Sequence, residues 1–156
     1  MKALLQRVAR AEVRVGGDCV ARIERGLLVY VGVAPTDAPA DARKLADKVV
    51  GLRIFPDEQG KLNRSVRDVR GGVLAVPNFT LQADTRKGRR PAFSAAAAPD
   101  QARALYETFV EALRTAPIDV ASGVFGATMA IRSDADGPVN CLVEVPPAPP
   151  GTAPMR

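Results

Sequence analysis

The chain has 156 residues, of which 47% are apolar and 25% charged, and it contains no histidine and no tryptophan. This length fits one compact domain, and the lack of histidine excludes Ser-His and Cys-His catalytic pairs and His-based zinc sites within one chain. A net charge of +5 at pH 7 and a pI near 9.7 favour a polyanionic partner, most commonly nucleic acid.

The first third of the chain predicts four strands and then a helix. The strands cover residues 3–8, 12–15, 19–23 and 27–33, and Gly16-Gly17-Asp18 forms a hairpin turn between the second and the third. The continuous apolar run 27–33 is typical of a central strand that is covered on both faces. Thr36 and Asp37 are predicted to cap a helix with Pro39 in its first turn and an apolar face that reaches Leu52.

The remaining chain predicts shorter strands around a second helix. The elements are a strand at 53–55, a turn at 57–61, a buried strand at 73–76, a surface loop at 82–98, a helix from Pro99 to just before Pro117, and strands at 125–132 and 139–145 on either side of a turn at 133–138. This order predicts a single α/β domain over residues 1–145, α+β in the strict sense, with a mostly antiparallel, barrel-like sheet and two helices. The Pro-rich tail 146–156 is predicted to be disordered.

Two further patterns concern the environment of the protein. Cys19 and Cys141 are far apart in the sequence and lie in strand-like surroundings, which favours buried free thiols over a metal pair or a disulfide. No apolar run approaches the roughly 20 residues of a membrane-spanning helix, and the N-terminus lacks a signal-peptide pattern. We therefore expect a cytoplasmic protein.

The segment Pro77-Asn78-Phe79-Thr80-Leu81 follows directly on a predicted buried strand. A strand end that becomes a loop can leave backbone N–H groups unpaired beside the Asn and Thr side chains, and such donors can stabilise an oxyanion. The alternative is an ordinary strand terminus, with Thr present for its β propensity.

Two other segments are candidates for a functional role. The loop Arg86-Lys87-Gly88-Arg89-Arg90 places four cations around one glycine, a composition that suits phosphate binding, although a solvated loop tip has the same composition. Gly137-Pro138 lies in a predicted turn, where a cis bond is one option and an ordinary trans turn the more common one.

Taken together, these segments resemble the D-aminoacyl-tRNA deacylase family in order and spacing over residues 1 to about 145. The resemblance rests on the start Met1-Lys2-Ala3-Leu4-Leu5-Gln6-Arg7-Val8, on Asn78-Phe79-Thr80-Leu81 followed by residues 84–91, on Gly123-Val124-Phe125-Gly126-Ala127, and on Asp136-Gly137-Pro138-Val139. There are two departures. Pro77-Asn78 stands where the family usually has Ser-Gln, and Asp134 to Asn140 departs from its usual Asn-x-Gly-Pro-Val-Thr.

The resemblance implies a homodimeric enzyme that hydrolyses the ester of D-aminoacyl-tRNA with help from the RNA itself and without a metal or cofactor. Glycyl-tRNA is a second candidate substrate. The implied catalytic residues are Asn78, Phe79 and Thr80, with backbone N–H groups around them as oxyanion donors. The implied residues for substrate binding and chiral selection are Gly137 and Pro138, joined by a cis bond and reaching the partner's site, with Ala96 lining the pocket and Arg7 bracing the turn. The residues expected to bind tRNA are Arg86, Lys87, Arg89 and Arg90.

Three other functions fit parts of the same pattern. A noncatalytic RNA-binding module explains the charge and the basic loop equally well. An esterase with Thr80 or Ser94 as its nucleophile would form an acyl-enzyme. A structural dimer without a ligand would show no tRNA-dependent effect.

Overall fold

The computed structural model describes residues 1–146, so the predicted disordered tail lies almost wholly outside the described residues. In chain order the elements are β1 (Lys2–Val15), β2 (Asp18–Ile23), β3 (Gly26–Gly32), α1 (Pro39–Gly51), β4 (Phe55–Pro56), β5 (Leu62–Arg64), β6 (Gly72–Pro77), a 3₁₀ helix (Phe79–Gln82), α2 (Pro99–Arg114), β7 (Asp119–Ser122) and β8 (Ala130–Glu144). Neither α-helix of the described part combines the length and apolarity that crossing a bilayer requires.

Six strands form one mixed sheet in the order β2-β1-β3-β6-β7, and β8 pairs with β1. The pairs β3–β6 and β6–β7 are parallel, whereas β1 is antiparallel to β2, β3 and β8. Strands β4 and β5 form a separate small ribbon. The prediction of one domain with a barrel-like sheet and two helices is confirmed.

Both faces of β3 are buried, as its continuous apolar sequence predicts. Leu27 belongs to the cluster that the two helices share with the sheet, and the next residue, Leu28, belongs to a second cluster on the opposite face. Both side chains are fully buried. Because consecutive side chains of a strand point to opposite faces, β3 lies at the centre of the fold.

The C-terminal region differs from the prediction. Residues 125–129 are not a strand, β7 was not predicted, and the predicted turn at 133–138 lies inside the single long strand β8. Gln6 pairs with Asn140 and Val8 with Ala135, so Arg7 of β1 faces the four residues 136–139 of β8. The polar Gly-Pro segment therefore forms an insertion, here called the Gly-Pro bulge (residues 136–139), and the chain does not reverse. Bulges and turns share the same residue types, which is why composition did not separate them.

The start of α1 also differs from the prediction. The N-cap residue is Ala38, whose N–H donates to Asp41 Oδ2 at 2.9 Å. Asp37 instead accepts hydrogen bonds from the Met1 ammonium at 2.6 Å and from the Ala34 N–H at 2.6 Å. Its carboxylate is buried with the ammonium, and both of its oxygens accept from these donors, so Asp37 does not cap the helix.

Candidate active site

The candidate site lies where β6 ends against β3. The Asn78 N–H donates to the Val31 carbonyl at 2.8 Å, and the 3₁₀ helix then packs onto Gly32. A Cβ atom at Gly32 would lie 2.9 Å from Leu81 Cβ, and the Gln82 side chain donates to the Gly32 carbonyl at 3.0 Å. The absence of a side chain at Gly32 is thus what allows the 3₁₀ helix to sit at the strand ends.

Asn78 and Thr80 are joined by two hydrogen bonds. The Thr80 N–H donates to Asn78 Oδ1 at 3.1 Å, and the Thr80 hydroxyl donates to the same oxygen. Because both partners donate, the acceptor must be the amide oxygen, and this fixes the orientation of the Asn78 amide. Thr80 is therefore occupied as a hydrogen-bond donor at both of its polar groups.

Two donors beside this pair are free. Within residues 1–146, neither the Phe79 backbone N–H nor Asn78 Nδ2 donates a hydrogen bond. The Phe79 ring is 58% exposed, so the segment is open to a ligand. A backbone N–H and a side-chain amide on adjacent residues are the kind of donor pair that stabilises a developing oxyanion.

A cavity of about 100 Å³ opens beside these donors. It is lined by Val31, Val33, Pro77, Asn78, Phe79, Ala102, Tyr106, Phe125 and Gly126. Tyr106 and Phe125 were not predicted as part of the site. Tyr106 falls within the apolar pattern of α2, and the only signal in its favour is that a buried tyrosine hydroxyl needs a partner.

The Tyr106 hydroxyl links two strands beneath the cavity. It donates to the Ala75 carbonyl at 2.9 Å and lies 2.8 Å from the Ser122 hydroxyl. Burial raises the pKa of Tyr106 to about 12. The phenol is therefore neutral at physiological pH and acts as a structural donor, because a group with this pKa holds its proton too tightly to serve as a base.

The basic loop, residues 86–90, emerges next to the site. Asp84 and Ala92 exchange two backbone hydrogen bonds at its base, at 2.8 and 3.0 Å, and Phe93 then packs edge-on against Phe79 with ring centroids 5.2 Å apart. Arg86 binds both oxygens of Asp84, and its hydrogen bonds hold the pKa of that carboxyl well below the usual range. Within the described chain, Lys87, Arg89 and Arg90 are exposed and have no carboxylate within 4 Å, so these three cations are available for a ligand.

Ala96 lies close to the site through its neighbour. The Ala97 N–H donates at 2.9 Å to the carbonyl of Val33, a residue of the cavity wall. Ala96 is half-buried but does not itself line the cavity in this structure.

The Gly-Pro bulge is held by Arg7. The peptide bond between Gly137 and Pro138 is cis, and Gly137 has a φ of +127°, which side-chain-bearing residues rarely adopt. Arg7 is 7% exposed and donates to the Ile54 carbonyl at 2.7 Å and to the Asp136 carbonyl at 3.2 Å. Its Nε also lies 3.0 Å from the Asp136 carboxylate. A buried guanidinium thus connects the bulge to the β4 region.

A single chain does not bring the bulge and the strand end together. Arg7 is level with Leu27 in the sheet, whereas the Asn78 N–H bonds at Val31, which is level with Ala3. Four residues along β1 correspond to roughly 14 Å at about 3.4 Å per residue. The residues predicted to select chirality and those predicted to catalyse therefore form two separate groups in this chain.

No metal or disulfide chemistry is evident in the described part of the chain. Residues 1–146 contain no group of three or more Cys, Asp or Glu side chains that could hold a metal ion. Cys19 and Cys141 are free, as predicted, but both are half-buried where full burial was expected.

Two solved structures resemble this chain over nearly its whole length. A solved structure described as "c-Myc DNA Unwinding Element Binding Protein" has a TM-score of 0.89 and 40% sequence identity, and the match covers 94% of this chain and 99% of that one. A second, described as "Structural Analysis of a probable eukaryotic D-amino acid tRNA deacylase", has a TM-score of 0.81 at 21% identity over 92% of this chain and 98% of the other. The second shares the fold.

Sequence relatives and a family model identify the family of this chain. A relative from Deinococcus deserti named "D-aminoacyl-tRNA deacylase" is 54% identical over 146 residues, which is 94% of this chain and 100% of the relative. One of the same name from Halorhodospira halophila is 53% identical over 97% of this chain and 99% of its own length. The family model described as "D-Tyr-tRNA(Tyr) deacylase" matches residues 4–144. The chain belongs to this family, and the resemblance found in its sequence is confirmed.

Proposed function

We propose that this protein hydrolyses the ester of D-aminoacyl-tRNA and releases free tRNA and the D-amino acid, the activity named for its relatives. The observation that carries the proposal is the pair of free donors, the Phe79 N–H and Asn78 Nδ2, beside an open cavity. An aminoacyl ester is already an activated acyl group, so stabilising its oxyanion is the main task left to the protein.

The reaction follows from these donors. Water attacks the ester carbonyl carbon, and the oxygen that gains negative charge accepts hydrogen bonds from Phe79 and Asn78. The intermediate then collapses, the bond between the carbonyl carbon and the ribose oxygen breaks, and that oxygen takes up the proton that the attacking water has released. The neighbouring ribose hydroxyl of the RNA orients the water, which suits a chain that contains no histidine.

Chiral selection requires a second copy of the chain. The carbonyl groups of Gly137 and Pro138 would hold the substrate α-amino group and leave no room for an L side chain. Two features support a homodimer in which each bulge reaches the other copy's strand end. The two groups of residues lie roughly 14 Å apart along the sheet of one chain, and β8 pairs only with β1 among the described strands, so its outer edge is open.

The basic loop would bind the RNA backbone. Three exposed cations, without carboxylate partners among residues 1–146, lie in the chain between Phe79 and Phe93, whose rings are in contact, so they would be within reach of a nucleic acid whose end enters the cavity. Ala96 would line the amino-acid pocket of the assembled site. The expected location is the cytoplasm, where charged tRNA is used.

Single-turnover deacylation of matched D- and L-aminoacyl-tRNAs, with enzyme in excess, tests the proposal. We expect rapid hydrolysis of the D ester and little of the L ester, and a glycyl-tRNA arm shows whether the achiral substrate is accepted. Equal rates on both enantiomers would contradict chiral selection. An intact D ester would favour a noncatalytic RNA-binding module, and a trapped acyl-enzyme would favour an esterase with Thr80 or Ser94 as nucleophile.

Subunit complementation tests the shared site. Phe79→Pro removes the backbone donor at a position where proline fits, the first residue of a helix, and Gly137→Ala disturbs the bulge through its positive φ. Each variant alone should be inactive. A mixed dimer contains one site built from two intact halves, so an exchanged equimolar mixture should recover about a quarter of the wild-type rate. No recovery despite proven exchange would mean that both groups act within one chain.

A further inference from the structure

We infer that Arg103 of α2 is a positioning residue that binds the phosphodiester on the 5′ side of the terminal nucleotide of the tRNA. The inference rests on the proposed function, because it concerns how the same site holds the single-stranded end of its substrate. It adds a phosphate contact on α2, an element separate from the basic loop.

The side chain of Arg103 is held at the cavity. Its guanidinium carbon lies 4.6 Å from the centroid of the Phe125 ring, and Phe125 lines the cavity together with Ala102, the residue before Arg103. Tyr106, three residues further along α2, packs against the same ring with centroids 6.3 Å apart. Phe125 thus contacts two side chains of one helix face, and the cation is oriented before any ligand arrives.

Within residues 1–146, no carboxylate forms an ion pair with this cation. Asp100 and Glu107 lie three residues before and four residues after Arg103 on α2, at spacings where ion pairs commonly form. Among the ion pairs of the described chain, none includes Arg103, although Arg114 of the same helix pairs with Glu111 at 2.6 Å. The Arg103 guanidinium is exposed over an aromatic ring and keeps its hydrogen-bond donors free for a ligand.

The substrate supplies an anion at this place. The ester is attached to the terminal ribose, so when its carbonyl lies at Phe79 the nearest phosphate is the one on the 5′ oxygen of that same ribose. Phe79 and Phe125 line the same cavity, and the chain of the RNA must leave that cavity at its rim. An arginine fork matches the paired oxygens of a phosphate, and its weak hydration favours such a contact.

The test compares two substrates that differ in this phosphate. One is D-aminoacyl-tRNA, and the other is adenosine that carries the same D-aminoacyl ester but no 5′-phosphate. For Arg103→Gln we expect the enzyme concentration that gives the half-maximal single-turnover rate on the tRNA to rise about tenfold, as for the loss of one charge-assisted hydrogen bond, with the maximal rate retained. Hydrolysis of the adenosine ester should remain at the wild-type level, and Arg103→Lys should restore most of the tRNA affinity because the charge is kept.

The matched control is Arg114→Gln, which removes the same charge from the same helix about 16 Å away along its axis. This variant should hydrolyse both substrates as the wild type does. The salt dependence of tRNA binding should flatten for Arg103→Gln by roughly 0.7 units of slope, the value for one contact to a single strand. Equal losses on both substrates would show that Arg103 acts through Phe125 and would overturn the phosphate assignment, as would a variant that behaves like wild type. If wild type hydrolyses neither ester, the proposed function itself fails, an outcome distinct from the other two.

Discussion

Replacing Arg7 with methionine should destabilise the protein and disable the Gly-Pro bulge at the same time. Arg7 lies in the middle of β1, is almost completely buried, and donates hydrogen bonds to two carbonyl groups that belong to different parts of the fold. Methionine keeps much of the aliphatic volume beside Phe55 but supplies no donor. The substitution therefore isolates the loss of the guanidinium from the loss of packing.

The expected magnitude follows from the burial of each partner. The bond from Arg7 to the Ile54 carbonyl is buried and has a charged donor, so its loss costs about 1.5–3 kcal/mol. The carboxylate of Asp136 is 43% exposed, so the ion pair adds only about 0–1 kcal/mol. The sum is about 1.5–4 kcal/mol, a large part of the roughly 5–15 kcal/mol that stabilises a typical domain.

Arg10→Met is the matched control, because Arg10 lies on the same strand and pairs with Asp134 at 2.7 Å, but with 70% and 56% of the two side chains exposed. Urea unfolding should show that Arg7→Met lowers the free energy of unfolding by about 1.5–4 kcal/mol and Arg10→Met by less than about 1 kcal/mol. At temperatures where both remain folded, only Arg7→Met should lose hydrolysis of D-aminoacyl-tRNA. Equal stabilities for the two variants, or full activity of folded Arg7→Met, would refute this account of the bulge.

Four further outcomes follow from the site. Thr80→Ala should keep a substantial part of the activity, because the Thr80 hydroxyl already donates to Asn78 and has no base beside it; a trapped ester on Thr80 would contradict this. Replacing both Arg89 and Arg90 with glutamine should flatten the salt dependence of tRNA binding by roughly one unit of slope per lost contact, and an unchanged slope would make the loop a solvated tip. Added chelator should leave the rate unchanged, whereas loss of activity that a divalent ion restores would reveal a metal requirement. The free energy of unfolding of the wild type should fall as the pH rises from 10 to about 12, because the folded Tyr106 phenol keeps its proton after the unfolded chain has released it. Tyr106→Phe should lack this part of the loss. Identical dependence of the unfolding free energy on pH in the two proteins would contradict this expectation.

Local sequence patterns predicted the elements whose apolar residues recur regularly. The run 27–33 and the apolar face of α2 each have one arrangement that buries them, and both were predicted close to their observed bounds. The last strand was not predicted correctly, because the segment Asp136-Gly137-Pro138 can either reverse the chain or form a bulge in a strand. Which of the two it forms depends on the strand with which it pairs, β1. The buried guanidinium of Arg7 lies on another strand, 129 residues earlier.

The same limit applies to the candidate site. The free donors follow from the segment Asn78-Phe79-Thr80 itself, where a short amide can close on a nearby threonine. The cavity wall does not follow from that segment, because Tyr106 and Phe125 reach it from α2 and from the segment after β7. Neither residue carries a local sequence signal that distinguishes a residue of the cavity wall from an ordinary core residue. Their roles depend on tertiary packing.

The donor at Phe79 belongs to the backbone, and this changes how genetic variation acts on the site. Exchanging the Phe79 side chain for any residue other than proline leaves the N–H in place. Alanine scanning would therefore report Phe79 as nearly dispensable for oxyanion stabilisation even if that N–H supplies most of it. Most amino-acid substitutions at this position keep the donor, so oxyanion stabilisation by the backbone tolerates sequence variation at residue 79. Chemical synthesis with an ester in place of the Asn78–Phe79 amide would expose the contribution that codon substitution conceals.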